Sequence, residues 1–410
     1  MGYIELDLQL SDEAKAIQKE VKKFAMEVMR PIGIQLDKLQ NPEDVYAKGS
    51  PYWSFLKGYR ELNLHLAGLP KELGGMAGDM DPKVGPLIAH EMGYGDSGLA
   101  ISVGASGMPF TIAAMSPEPK LQQIVKDYCN DTSGSVIGCW AITEPAHGSD
   151  WVFSTDPKFA DPRCGSEVIA KLVGDEYIIT GQKSAWVSNG TIATHASVHV
   201  CLDPSRGMQG CGLAIIPLDL PGIRRGTPLD KIGQRALNQG EIFFDEVKIP
   251  KSFMVIADPA MHQMVAKTIL IGAKTGMGQT FAGLAQAAYD EALKYSKERI
   301  QGGVPIFEHK NIKLQLFKMF IKVEAARALS RRVSFYNILS GMGAAQYAIA
   351  SKVLSTNTAF EVANEAISIF GGNGLAREYV IEKLFRDARA AMIEDGENNA
   401  LCIGGAEDLV

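Results

Sequence analysis

Near the C-terminus, "IEDGENNAL" (residues 393–401) crowds Glu394, Asp395 and Glu397 around one glycine. A carboxylate withdrawn from water gains basicity without leaving the neutral pH range, so such a cluster can supply a general base. Alone, the stretch reads first as a solvated helix end after "LFRDARAAM". Three other stretches could bind a ligand. In "CWAITEPAHGSD" (139–150) a Thr hydroxyl ends a strand and runs into a Pro and Gly turn whose amides are free for an anion, or simply a surface loop. "GQKSAWVSNG" (181–190) sets Trp186 and Ser188 on one face of a strand, which suits a flat heteroaromatic ligand or a core position. "SIFGGNG" (368–374) closes a helix with glycines, where backbone comes close to something or where the helix is merely capped.

The elements that must position these residues follow from pattern. From "SDEAKAIQKEVKKFAMEVM" to about residue 135, apolar residues recur at helical spacing, with Ser11 an N-cap. Then "SVIGCWAI", "EVIAKLV", "EYIITGQK", "ASVHVCL", "GLAIIPL" and "EIFFDEVKIP" are short, β-branched and separated by turn residues, which predicts an antiparallel β domain. After Pro250 long Ala-rich periodic segments predict a helical bundle. The expected class is α+β, with an all-α domain over 1–136, a β-barrel-like domain over 137–250 and a four-helix bundle over 251–410.

Composition excludes several functions. A chain of 410 residues, 46% hydrophobic and 21% charged, has material for two or three buried cores. Its net charge of -6 offers no basic face for nucleic acid or anionic lipid. Cys129, Cys139, Cys164, Cys201, Cys211 and Cys402 lack C-x-x-C spacing and the seven histidines form no ligand cluster, so no metal site is expected and reduced thiols in a cytoplasm fit best. The opening residues carry no export signal, and no apolar run is long enough for a membrane span.

TEPxxGSD, W-V-S-N-G, "FFDEVKIP", E-R-I-Q-G-G, "IFGGNG" and "EKLFRDAR", in this order and α, β, α context, resemble the acyl-CoA dehydrogenase flavoproteins over essentially the whole chain. The resemblance implies FAD as cofactor. Thr143 would donate to the flavin pyrimidine edge, with the backbone of Trp140 and Ile142 alongside. Gly148 and Ser149 would form the turn at the cofactor and CoA phosphates, Trp186 would stack beside the flavin, and Ser188 would lie near N5. Arg299 and Gln301 would reach the FAD of a neighbouring subunit, beside Gly371 and Gly372, so the resemblance implies a homo-oligomer, expected to be a tetramer. Glu397 and Asn399 would stand on the cofactor side, and Ser149 and Lys274 would meet the substrate.

Several positions depart from the family pattern. Gly302 stands where an aromatic is common, Ser368 where Gln precedes I-F-G-G, and Lys274 where many members carry Arg. Aligned on Gly396, the family's I-Y-E-G-T reads "IEDGE", so the implied base is Asp395, one methylene shorter than Glu. The alternative base position on the helix of Lys274 is Ala273, which cannot serve, and the acids Glu91 and Asp96 of the first domain remain a third option. The shorter base points to a cyclic, branched or aryl-substituted acyl-CoA. The implied activity is α,β-dehydrogenation of a thioester with electrons passed to an electron-transferring flavoprotein. An oxidase resembling nitroalkane oxidase or acyl-CoA oxidase, and a catalytically silent flavin-binding homologue, are the alternatives.

Overall fold

The computed structural model describes residues 4–341, 343–407 and 409. Six helices come first: α1 (Asp12–Phe24), α2 (Arg30–Asp37), α3 (Pro51–Glu61), α4 (Val84–Gly95), α5 (Ser97–Ala113) and α6 (Pro119–Asn130). Their starts are written in the sequence, since Ser11 accepts from the Ala14 amide and Asp96 from the Leu99 amide, satisfying donors that a helix start leaves orphaned. A π turn, Ala25–Met29, joins α1 to α2.

The middle sheet holds β1 (Gly138–Ala141), β2 (Ile169–Val173), β3 (Glu176–Lys183), β4 (His195–Cys201), β5 (Cys211–Pro217), β6 (Ile223–Arg225), β7 (Ile242–Pro250) and β8 (Met254–Ile256). Its order is β6-β7-β3-β2-β4-β5-β8, with β1 on β4. Three features depart from the expected antiparallel domain ending at residue 250. β1 runs parallel to β4, pairing Gly138 with His195, β2 also meets β4 in parallel through Ile169 and Cys201, and β8 follows Pro250 to pair with β5, so the sheet extends to Ile256. Pairing partners this far apart in sequence leave no local periodicity to read.

The rest is helical: α7 (Pro259–Glu298), α8 (Lys310–Ser340), α9 (Ala345–Phe370), α10 (Ile381–Ala391) and α11 (Asn398–Glu407), with a two-stranded ribbon of β9 (Ile300–Gln301) and β10 (Val304–Pro305) after α7. Small residues let the helices approach closely. A Cβ at Gly278 would meet Ser351 Oγ at 2.2 Å, and one at Gly93 would meet the Thr280 carbonyl oxygen at 1.9 Å, so α7 seats α9 on one side and α4 on another. One apolar core spans the first helices and the sheet, and a second lies within α7, α8, α9 and α10 with Tyr94 of α4. Among the described residues no helix is long and apolar enough to cross a membrane.

Candidate active site

The acid stretch hangs between α10 and α11. Asp395 has φ 53° and Gly396 φ 102°; a Cβ at Gly396 would meet Leu401 at 2.8 Å and Val152 at 3.0 Å, so glycine is required there. A left-handed aspartate is an uncommon backbone state held by its surroundings. The surroundings are visible. The buried Lys352 of α9 donates to the Gly396 carbonyl and to Asn398 Oδ1, both at 2.8 Å. Asn398 Nδ2 in turn donates to Thr356 Oγ1 at 3.0 Å and Asn357 Oδ1 at 2.8 Å.

Electrostatics separate the three acids. Burial pushes the Asp395 carboxyl above the ordinary aspartate range, against the charges of Lys352 and Lys274. Glu394 is not a solvated end: it is half-buried and its Oε2 accepts from Gln234 Nε2 at 2.8 Å. Burial raises its pKa to about 7, with Gln234 and Lys231 opposing and the Asp395 charge adding. Glu397 behaves differently. Its carboxylate accepts from the Asn399 and Ala400 amides and from Asn399 Nδ2, capping α11, and these bonds hold its pKa below the usual value. Asn399 Nδ2 thus meets Glu397 Oε1 at 3.0 Å, with Asn399 itself exposed. Lys352 is pulled down to about 8 by burial, with Asp395, Glu394 and Glu397 resisting.

The TEP turn meets this loop. Glu397 N donates to Ser149 Oγ at 3.0 Å, which ties the predicted phosphate serine to the acid loop. Three of the turn's amides are engaged within the chain: Gly148 N donates to Asp150 Oδ1 at 2.6 Å, Glu144 N to the His147 carbonyl, and His147 N to that of Glu144. The Asp of GSD supplies the anion from within the chain. Below the turn, Lys183 Nζ sits 2.6 Å from Glu144 Oε1, both fully buried, while Ser166 Oγ and the Glu167 and Val168 amides also bond that carboxylate. Burial would raise Glu144, but these partners outweigh it and its pKa lies below the usual value.

Thr143 Oγ1 accepts from Ser184 Oγ at 2.8 Å, so its own proton remains for a ligand. Trp186 is no core residue, being 60% exposed, and Ser188 nearby is half-buried. Trp140 is half-buried and Ile142 buried; the Trp140 indole turns inward, donating to His199 Nε2 at 2.9 Å, and His199 Nδ1 then donates to His262 Nε2 at 2.8 Å. Burial keeps both rings neutral, with His262 down to about 4. Lys274 is buried on α7.

The remaining positions lie on exposed backbone. Arg299 and Gln301 are exposed at the β9 ribbon, where Gln301 pairs with Val304. Gly371 caps α9 at φ 60°, and a Cβ there or at Gly372 would meet nothing within 4 Å, leaving room for a ligand; Ser368 beside them is exposed. Of the other acids, Asp96 caps α5 and binds Lys383 Nζ at 2.6 Å, while Glu91 accepts from Gln18 Nε2 at 2.8 Å and faces Lys22. Lys352, Gln234, Lys231, Ser184 and Asn398 went unread in the sequence. Lys352 had one available signal, a lone cation inside the apolar "AIASKVLST".

Comparison with known proteins identifies the family and the fold. Family models for the N-terminal, middle and C-terminal domains of acyl-CoA dehydrogenases match residues 11–129, 139–247 and 264–409. The mitochondrial short-chain specific acyl-CoA dehydrogenase of Rattus norvegicus is 28% identical over 400 residues, covering 97% of this chain and 90% of its own. The butyryl-CoA dehydrogenase structure from Megasphaera elsdenii superposes with a TM-score of 0.85 at 25% identity, covering 98% of this chain and 100% of that one. A chain from the electron transferring flavoprotein study of Acidaminococcus fermentans gives 0.86 at 26%, covering 99% and 100%. Three matched domains in their expected order, on a fold shared from end to end, make this chain a member of the acyl-CoA dehydrogenase family.

Proposed function

We propose that this oxidoreductase removes two hydrogens from the α and β carbons of a CoA thioester, with Asp395 as the base. The family's cofactor is FAD. The residues fit it: Thr143 keeps a proton to donate, Trp186 offers an exposed ring, and the backbone at Gly371 and Gly372 has open space where phosphates can approach. When bound, FAD supplies the acceptor for the β-hydride.

The observation that carries the reading is the environment of Asp395: a half-buried carboxylate in a braced left-handed turn, tuned between burial and two lysines, in the loop that bonds Ser149 of the TEP turn. A base raised out of the ordinary aspartate range abstracts a weakly acidic proton more effectively at neutral pH. The short stem brings the α-carbon nearer the loop, which favours a cyclic, branched or aryl-substituted acyl group. Likeness to a chain from an electron transferring flavoprotein study supports such a flavoprotein as the electron acceptor. The exposed Arg299 and Gln301 support a site completed by a second copy, in a tetramer. The six free cysteines support a cytoplasmic setting.

The test is anaerobic mixing of FAD-loaded protein with a panel of CoA thioesters. Wild type bleaches with its substrate, while Asp395→Asn keeps its FAD and stays yellow. If the Asn variant bleaches at the wild-type rate, the base lies elsewhere.

A further inference from the structure

Ser188 belongs to an isolated backbone bridge with Gln239, flanked by the Asn189 N to Asn238 O bond at 2.7 Å and the Gly240 N to Val187 O bond at 3.3 Å. The side chains continue the pairing. Lys231 Nζ donates to Gln239 Oε1 at 2.8 Å and to the Leu237 carbonyl at 2.9 Å, and Gln239 Nε2 donates to Ser188 Oγ at 3.4 Å. Gln239 is buried, so its amide has no solvent alternative. The orientation is dictated by chemistry: an ammonium facing the amide must meet its oxygen, because turning the amide over would set donor against donor. Ser188 therefore receives a hydrogen bond from behind, and its own proton has no acceptor among the described residues. Burial pulls the pKa of this ammonium down to about 8, with the charges of Glu394 and Asp387 opposing it in part.

We propose that Lys231 and Gln239 are positioning residues that lock the Ser188 hydroxyl as a hydrogen-bond donor toward the flavin ring. This rests on the reading that the flavin lies beside Ser188. It gives the chain a relay that no motif announces, running from Lys231 through Gln239 to Ser188.

Gln239→Glu is the discriminating change, since it preserves shape and the contact with Lys231 but presents only acceptors. The Ser188 proton then turns inward to the new carboxylate, and the donor toward the ring is lost. Apoprotein is titrated with FAD, and the visible flavin spectrum is recorded for wild type, Ser188→Ala, Gln239→Glu and the double variant. Each single variant is expected to weaken FAD roughly tenfold, the scale of one hydrogen bond to a ligand, with the same spectral shift. The double variant should be no weaker than Ser188→Ala alone, because both changes remove one interaction. Wild-type affinity and spectrum in Gln239→Glu, or additive losses in the double variant, would overturn the proposal while leaving Ser188 at the flavin. If Ser188→Ala itself changes neither affinity nor spectrum, the placement of the flavin beside Ser188 is what fails, and this proposal falls with it.

Discussion

As the proposed base, Asp395 would work only when ionised, so turnover is expected to rise with pH through its raised pKa and level off above it. Burial lifts that pKa, and the charges of Lys352 and Lys274 hold it down. Removing one of these cations by Lys352→Met shifts the balance toward burial, so the acid limb of the pH profile moves to higher pH. The same change strands the Gly396 carbonyl and Asn398 Oδ1, both served by Lys352, and should lower stability by about 2–3 kcal/mol. Flavin bleaching rate against pH reads the first effect and urea unfolding the second. An unmoved acid limb alongside lost stability would reduce Lys352 to a brace.

Helix α10 is the element that delivers the acid loop, and it is pinned by charge where helices more often rely on apolar packing alone. Lys383 Nζ lies 2.6 Å from Asp96 Oδ2 at the start of α5 and 2.5 Å from Asp387 Oδ2, all three buried. Asp387 Oδ1 accepts from Gln234 N at 2.5 Å, and Gln234 reaches Glu394, so one lysine links the first domain, the sheet's 230s loop and the acid loop. Lys383→Met leaves two buried carboxylates without their cation and should cost about 3–5 kcal/mol, read as a lower urea midpoint. A loss under about 1 kcal/mol would show that the carboxylates find other partners or take up protons. Helix α1 is legible from its Ser11 cap, and α7 and α10 from their local helical composition and spacing, while the TEP, WVSNG and IFGGNG stretches stand out because their residue types are distinctive. The parallel pairing of β1, strand β8 beyond Pro250, and the Gln234 and Lys352 contacts with the acid loop join residues far apart in sequence. Burial creates those contacts, and no local pattern encodes it. The acids were found for their chemistry, but Glu394 looked solvated because only tertiary packing dries it.

The whole molecule carries apolar surface that one copy does not cover. Leu314, Phe317 and Ile321 lie on one face of α8 at spacings of three and four, and are 57%, 62% and 54% exposed; Ile300 and Val304 of the adjoining ribbon are exposed as well. Exposed apolar residues at helical spacing make a contiguous stripe, unlike scattered single ones, and such a stripe marks an association surface. Arg299, which ends α7, and Gln301 of the ribbon that precedes α8 are the pair expected to reach a neighbour's FAD. Assembly and cofactor retention should therefore be linked, because a ligand held by two copies is lost when they part. Phe317→Asp places a charge in the stripe without touching either core, so far-UV circular dichroism should match wild type. Sedimentation should shift to smaller species, and FAD should dissociate at protein concentrations several-fold higher than for wild type. A variant that is smaller yet holds FAD with unchanged affinity would confine the cofactor site to one chain, and one that stays fully assembled would move the interface to another face.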